Sequence, residues 1–279
     1  WRTNNVKEDF TSGIEWQQIS DNIGSAKVAA LENSPANPDI LYVAKSSQLY
    51  RSDDSNGESP SFVDLSSNIP GSGAVTHIES HPLDENVVYI TRGDGVYKSE
   101  DKGSNWEDIT GTLPEVNMNT LEFYENSQEA LYVGSDIGIY YRDASMDDWI
   151  EFSEGFPATA TVTDIEFFYD PDSVSNDLIR ASTYGRGLWE SGLYYSEPEA
   201  DFEASAVEIP VDCSVDFMDK SLGIPHEWTW EFEGGEPSTS DERNPSGITY
   251  HEEGTYEVTL TVSNPDGEDT KTVSGYITV

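Results

Sequence analysis

Four glutamates recur at equivalent places in a repeated sequence pattern. Each follows an aliphatic residue near the end of a predicted strand, and together they are Glu32, Glu79, Glu122 and Glu166. In a ring of repeats their carboxylates would lie at one height, where they could bind a ligand or a cation, and two carboxylates about 5–9 Å apart also act as acid and base in glycosidases. Catalysis needs carboxylates in different environments, so their repetition in every unit favours a structural role in hydrogen bonding between repeats.

The same strand that carries Glu79 has two histidines. His77, Glu79 and His81 alternate along it and share one face, which is a residue set that could ligate a metal. No other repeat has these histidines, and His81 precedes Pro82 at the strand end. A chance arrangement is therefore favoured over a metal site.

One loop is rich in oxygen ligands and suggests a calcium ion. Asp53, Asp54, Asn56 and Glu58 resemble a Ca²⁺ loop in composition but lack the full spacing of an EF-hand. They are a candidate site for Ca²⁺, which is the only cofactor that the sequence suggests. The formal net charge of −40 is explained more generally by solubility in salty surroundings, where screening removes self-repulsion.

The elements that would position these residues repeat every 43 to 47 residues. Tyr42, Tyr89 and Tyr132 mark equivalent second strands. A period of this length with four short strands per unit is typical of propeller blades. Residues 26–70, 73–114 and 116–157 are predicted as full blades, and residues 160–192 supply three further strands.

Two alternatives remain open for the propeller. The segment Trp16–Ser20 matches the fourth strand Trp106–Thr110 and could close the last blade into a small four-bladed ring. Alternatively, the chain is the C-terminal part of a larger propeller. Trp1–Thr3 resembles a third strand, which the last blade already has in Leu188–Ser191, so the second alternative is favoured. Because the chain starts at Trp1 rather than Met, we expect a processed product or a fragment.

The pattern changes near residue 197. Tyr256, Val258, Leu260 and Val262 alternate with polar residues, which predicts a strand with one buried face. The single cysteine, Cys213, is predicted to be a small buried residue in a second strand. The sequence thus predicts an all-β chain with a partial or small propeller of about four blades at 1–196 and an immunoglobulin-like β-sandwich at 197–279.

Ser99-Glu-Asp-Lys-Gly-Ser-Asn-Trp106 resembles the Asp box, S-x-D-x-G-x-x-W, of the BNR repeats in sialidase-type and sortilin-type propellers. Asp101 can accept backbone N–H bonds across the turn, Gly103 can adopt positive φ, and Trp106 can pack between blades. In those families the box, here Ser99, Asp101, Gly103 and Trp106, is structural and lies away from the active site.

Ser182-Thr-Tyr-Gly-Arg-Gly-Leu-Trp-Glu190 resembles the last-blade signature of sortilin-like and xyloglucanase-like secreted bacterial propellers. Its Gly-Arg-Gly turn would expose Arg186 beside Tyr184, and such a pair could contact sugars or carboxylates. The favoured alternative is a tight turn with Trp189 in the core of the blade.

The C-terminal segment resembles the PKD (polycystic kidney disease) domain. Trp230-Glu-Phe-Glu-Gly-Gly235 stands where that family has W-D-F-G-D-G, and Asn244, Tyr250 and the run Glu253–Asn264 follow at the family spacing. The copy departs from the pattern at Glu231, Glu233 and Gly234. The resemblance implies a non-catalytic spacer or binding module on an extracellular protein.

These observations predict a secreted or cell-surface bacterial module that binds a glycan or a protein, mediates adhesion or spaces neighbouring domains of a larger polypeptide. The negative charge argues against nucleic acid as a partner, and no apolar run suggests membrane insertion. The alternative is part of a sialidase-like or xyloglucanase-like glycoside hydrolase with catalytic blades upstream. Sortilin-like peptide capture would need a larger ring.

Overall fold

The computed structural model describes Gln18, Ile19, Ile23 and residues 26–171 and 173–279. The segment Trp1–Thr3 and most of the predicted strand Trp16–Ser20 lie outside the described residues, so both alternatives for ring closure stay predictions. Within the described ranges the regular structure is all-β, apart from short 3-10 turns at Ser66–Asn68 and Val174–Asn176. No helix in these ranges is long and apolar enough to cross a membrane.

Three antiparallel sheets of four strands follow one another, and in each the strands pair in chain order. Each fourth strand is only two residues long and pairs with the third strand of its sheet. These are the predicted full blades. Their strands are β1 (Ala30–Asn33), β2 (Leu41–Lys45), β3 (Gln48–Ser52), β4 (Val63–Asp64), β5 (Val75–Ser80), β6 (Val88–Arg92), β7 (Gly95–Ser99), β8 (Glu107–Asp108), β9 (Met118–Phe123), β10 (Leu131–Ser135), β11 (Ile139–Arg142) and β12 (Ile150–Glu151).

The fourth blade has three strands in the described part of the chain, β13 (Val162–Phe168), β14 (Leu178–Thr183) and β15 (Gly187–Gly192). Every residue of β15 is exposed. Trp189 is 38% exposed rather than buried in the core of the blade. The prediction of a buried Trp189 was therefore wrong.

Apolar contacts join each blade to the next. One buried cluster links the first and second blades through Tyr42 and Ile78, and another links the second and third through Tyr89 and Leu121. Leu31 occupies on β1 the place of Leu121 on β9, yet it is 62% exposed. The blades therefore stack in chain order, and the inner strands β1, β5, β9 and β13 line one rim.

The C-terminal unit is a β-sandwich with an aromatic and aliphatic core around Trp230, Phe217 and Leu260. Val258, Leu260 and Val262 are buried, as their alternation predicts. Its strands are β16 (Phe202–Ala204), β17 (Cys213–Val215), β18 (Phe217–Asp219), β19 (Glu227–Phe232), β20 (Gly235–Glu236), β21 (Thr239–Ser240), β22 (Ile248–Tyr250), β23 (Thr255–Asn264) and β24 (Gly267–Thr278).

The prediction for Cys213 was wrong, since the residue is exposed. The backbone turns at Asp212, where φ is +63°, and strand β17 begins only after that turn. Cys213 is the first residue of β17, directly after the turn, and it lies outside the core. Val211 before the turn is exposed as well, so only Val215 of the three is buried.

The sandwich contacts the third and fourth blades directly. Ile224 of the sandwich lies in the same buried cluster as Tyr132 and Leu193. The Gln128 amide donates to the carbonyl of Asp219 at 3.0 Å, and the rings of Tyr195 and His226 meet edge to face at 4.7 Å. Together these contacts fix the sandwich against the blade stack.

Candidate functional site

The recurring glutamates lie on the inner strands, and two of them bridge neighbouring blades. The backbone N–H of Ser80 donates to Glu32 Oε1 at 3.2 Å, and the N–H of Phe123 donates to Glu79 Oε1 at 3.2 Å. Each donor is the residue directly after the equivalent glutamate of the next blade. This repeated bond between blades is the structural role that the sequence favours.

Burial changes the protonation of these carboxyl groups. Desolvation raises the pKa of Glu32 to about 7 and that of Glu122 to about 9. It also raises the pKa of Glu79 well above its ordinary value, and the nearby carboxylates of Glu122 and Glu32 add to the effect. The inner rim therefore holds a concentration of carboxyl groups that resist ionisation.

One histidine completes the group at the second and third blades. His77 Nε2 lies 3.6 Å from Glu122 Oε1 and 4.0 Å from Glu79 Oε2. His77 Nδ1 lies 3.4 Å from the hydroxyl of Thr120. One ligand atom from each of His77, Glu79 and Glu122 lies within 4.8 Å of the others. Burial lowers the pKa of His77, so the neutral ring is favoured.

His81, which shares the strand face with His77, belongs to a different environment. Its Nδ1 accepts from the backbone N–H groups of Leu83 and Asp84, each at 3.1 Å, and its ring packs on Phe123 at 4.6 Å. The structure therefore places Glu122 from the next blade where the sequence suggested His81. The signal that could have found Glu122 is the repeat period itself, which puts equivalent residues of successive blades side by side.

A cavity of about 150 Å³ opens beside this group and is lined by Glu79, Glu122 and Glu166. Three of the four recurring glutamates therefore share one small space. Glu166 differs from the other three because its cross-strand neighbour is Arg180 rather than a tyrosine. Arg180 itself pairs with Glu190 at 2.8 Å and lies 4.7 Å from the ring centre of Phe168. The cavity can hold a small cation or a water-sized ligand.

The residues of the candidate calcium loop make local contacts. Asp53 pairs with Arg51 at 2.8 Å, and Asp54 accepts from the N–H of Ser61 at 2.8 Å, which lowers the pKa of Asp54. Asn56 donates to the carbonyl of Pro38 and to Asp39. Among the described residues, these acids and Glu58 form no cluster of three that could share an ion. The calcium site stays a prediction.

The turn at 99–106 has the geometry expected of its residues. Ser99 Oγ donates to Asp101 Oδ1 at 2.9 Å, and Asp101 Oδ1 accepts from the N–H of Asn105 at 2.7 Å. Gly103 has φ of +83°, and a Cβ there would lie 3.2 Å from Trp106, which packs against the cluster between the first two blades. The outer part of the second blade is therefore stabilised by this turn, through Ser99, Asp101, Gly103 and Trp106.

The turn of the fourth blade exposes the predicted ligand residues. Tyr184 is 82% exposed, and Arg186 is exposed next to it between Gly185 and Gly187, both with positive φ. The indole of Trp189 donates to the carbonyl of Arg186 at 3.0 Å. This contact holds the turn over the outer face of the blade.

Sequence reasoning missed a cavity of about 610 Å³ beside this turn, between the third and fourth blades. Its wall combines aromatic side chains with carboxylates. Phe156 and Trp189 meet at 5.8 Å across it. The two residues belong to different blades, so only the stacking of the blades brings them together. The other aromatic and acidic residues of the wall are Phe152, Tyr194, Glu151, Glu154 and Glu190.

Residues 196–279 match the family model of the PKD domain. No curated protein matches the chain significantly. The PKD1 domain of Vibrio anguillarum Epp is 26% identical over 31% of this chain and 99% of its own length, with a TM-score of 0.25.

Two larger solved structures resemble most of the chain. The GH74 enzyme of Niastella koreensis is 16% identical over 90% of this chain, with a TM-score of 0.48, and this chain spans only 37% of that enzyme. YCF48 bound to D1 peptide is 11% identical over 97% of this chain and 85% of its own length, with a TM-score of 0.45. None of these likenesses assigns an activity to this chain.

Proposed function

We propose that this chain is a non-catalytic extracellular module in which a propeller segment binds a glycan and the PKD domain sets its distance from neighbouring domains. The observation that carries the proposal is that two of the recurring glutamates form hydrogen bonds between blades. Glu32 and Glu79 accept backbone N–H bonds from the next blade, so these carboxylates are engaged in holding blades together. Residues engaged in this way contribute rigidity rather than acid–base chemistry.

The contact between the two units supports the spacing role. The side-chain amide of Asn264 in the PKD domain donates to the carbonyls of Ser196 and Gly223 at 2.7 and 2.6 Å, which ties the connecting segment to the sandwich. With Ile224 buried against the third and fourth blades, the connection is packed on both sides. A packed connection of this kind fixes the orientation of the PKD domain relative to the blades, which a spacer requires.

The cavity between the third and fourth blades supports glycan binding. Sugars stack on aromatic faces, and their hydroxyls donate hydrogen bonds to carboxylates. The wall offers Phe156 and Trp189 as aromatic surfaces and Glu151, Glu154 and Glu190 as acceptors, and Tyr184 stands exposed nearby. Residues 99–106 resemble the Asp box of BNR repeats and residues 182–190 resemble the last-blade signature of sortilin-like secreted propellers, and these resemblances support a secreted or surface-attached origin.

Binding of soluble plant and animal polysaccharides by affinity electrophoresis tests this proposal. We expect at least one neutral polysaccharide to retard the protein, and the Trp189→Ala and Tyr184→Ala variants to lose most of the shift. Leu83→Ala is the matched control, since Leu83 is exposed on another blade. Equal retardation of all variants would show that the glycan binds away from Trp189 and Tyr184, and no retardation of the unmodified chain across the panel would contradict glycan binding.

The second candidate is a part of a glycoside hydrolase. It is favoured by one observation, the approach of the Glu79 and Glu122 carboxylates to within 4.8 Å beside a cavity, with raised pKa values that suit a general acid. Reducing-sugar release from the same polysaccharides separates the candidates. Turnover that disappears in Glu79→Gln, while the variant still unfolds cooperatively, would replace the non-catalytic proposal with this one.

A further inference from the structure

The group formed by His77, Glu79 and Glu122 differs from the other carboxylate contacts of the inner rim. Glu32 makes its bond to the second blade without a histidine nearby, whereas Glu79 and Glu122 converge on an imidazole nitrogen. In the described part of the chain this is the one group of three or more acidic, histidine or cysteine side chains whose ligand atoms come together. It spans β5 of the second blade and β9 of the third.

We propose that His77 Nε2, Glu79 Oε2 and Glu122 Oε1 form a binding site for a zinc-type divalent cation between the second and third blades. Nitrogen and oxygen ligands about 2.0–2.2 Å from a tetrahedral zinc ion stand roughly 3.3 Å apart. The observed separations of 3.6 and 4.0 Å from His77 are only slightly longer. Small rotations of the side chains close the difference.

Two of the three ligands are oriented by a second contact. Glu79 uses Oε1 to accept the N–H of Phe123, which leaves Oε2 directed at the site. His77 uses Nδ1 towards the hydroxyl of Thr120, which leaves Nε2 as the nitrogen that faces the carboxylates. Ligands held in this manner are typical of metal sites, where outer contacts set the tautomer and the carboxylate rotamer.

The charges around Glu79 and Glu122 and the cavity beside them also suit a zinc ion. No lysine or arginine is within ion-pair distance of Glu79 or Glu122 in the described ranges, so a divalent cation would neutralise both. The cavity of about 150 Å³ reaches both glutamates, and a zinc ion held by three side chains takes a water at its fourth position. The imidazole ligand and the small number of oxygens favour zinc over calcium, which takes six to eight oxygen ligands.

Isothermal titration of the chelator-treated full chain with zinc chloride tests the site. We expect one zinc equivalent for the unmodified protein and weakening by more than about tenfold in His77→Gln and in Glu122→Gln. His251→Gln is the matched control. His251 Nδ1 and Nε2 face Asp212 and Glu236 at 2.7 and 3.3 Å, so its two nitrogens point to different carboxylates and share no ion position.

The results separate the proposal from its alternatives. Unchanged zinc binding in His77→Gln, loss only in His251→Gln, or no zinc binding by the unmodified chain would overturn it. If His77→Gln fails to fold, the site is tested with Glu122→Gln and with the visible spectrum of the cobalt-substituted unmodified protein. A tetrahedral cobalt spectrum that zinc displaces supports the site, and its absence overturns it. Calcium chloride is expected to compete weakly or not at all.

Discussion

The PKD domain and the blade stack bury acidic side chains in opposite ways. In the PKD domain, the fully buried carboxylate of Asp219 receives the guanidinium of Arg243 at 3.2 Å and the N–H of Ser221 at 3.0 Å. At the inner rim of the blades, Glu79 and Glu122 have a weakly basic histidine instead of an arginine. In the PKD domain an arginine balances the charge of the buried acid. At the inner rim of the blades, a proton or a bound cation must balance the charge of the glutamates.

The difference follows from how few cations the chain has. It carries 54 acidic residues against 14 lysines and arginines. A buried carboxylate that meets an arginine can stay ionised, whereas one that meets only backbone N–H groups and other acids shifts its pKa upwards. The comparison teaches that the position of a few basic residues decides which buried acids are structural ion pairs and which can respond to pH or metal.

The largest effect is expected from removing the arginine of the PKD domain. Arg243→Ala leaves Asp219 buried without its partner, and breaking a buried ion pair costs about 3–5 kcal/mol. Urea unfolding at neutral pH measures the loss. Lys220→Ala is the control, because Lys220 and Glu203 form an exposed pair worth less than about 1 kcal/mol. Equal losses in both variants would show that burial does not distinguish the two pairs.

A smaller loss is expected where blades are packed against each other. Leu121→Ala removes a buried side chain between the second and third blades and should cost about 2–5 kcal/mol through lost burial and the cavity that remains. Leu31→Ala changes the equivalent residue of the first blade, which is mostly exposed, and should change the free energy of unfolding by about 0.5 kcal/mol or less. A large loss in Leu31→Ala would mean that another surface covers the first blade in solution.

The pH dependence of stability tests the buried carboxyl groups. The pKa of Glu32 rises from its ordinary value of 4.5 to about 7 on folding, so the folded state holds a proton that the unfolded state releases within this window. The contribution of Glu32 to stability is therefore lost as the pH rises through the folded pKa, by on the order of 3 kcal/mol in total.

Urea unfolding at pH 5 and pH 8 in the presence of chelator measures this contribution. Glu32→Gln should lose less stability than the unmodified chain between these pH values, since a neutral amide oxygen accepts the Ser80 N–H at both. Glu107→Gln, at an exposed position on β8, should keep the slope of the unmodified chain. Parallel pH profiles for the Glu32→Gln and unmodified proteins would rule out a buried, protonated Glu32.

The smallest change in the free energy of unfolding is expected from glycine substitutions in two turns, one packed and one open. Gly103→Ala and Gly185→Ala both place a Cβ at positive φ, which costs about 1–2 kcal/mol for the backbone alone. At Gly103 the Cβ would also lie 2.9 Å from Leu65, whereas nothing lies within 4 Å at Gly185. Urea unfolding should show the larger loss for Gly103→Ala. The reverse order would mean that the turn of the fourth blade is covered in solution.

Much of the fold follows from local sequence signals. The three full blades predicted from the repeat are the three four-stranded sheets, and the alternation from Val258 to Val262 correctly places a core-facing strand. These predictions succeed because the two-residue period of a strand and the turn residues around it are local properties. The prediction for Cys213 failed because the residue stands at the exposed start of β17, directly after the turn at Asp212. The alternation of residue types does not show where a strand leaves the core.

The sequence by itself determined the repeat, the all-β class, the four glutamates and the residues of the 99–106 turn. Only the tertiary structure decided which residues of different blades meet. It placed Glu122 rather than His81 beside His77, joined Phe156 to Trp189 across a cavity, and left Leu31 exposed. The physical reason is that the stacking of blades brings together side chains that lie far apart in the sequence. Such contacts are set by packing geometry rather than by any local propensity.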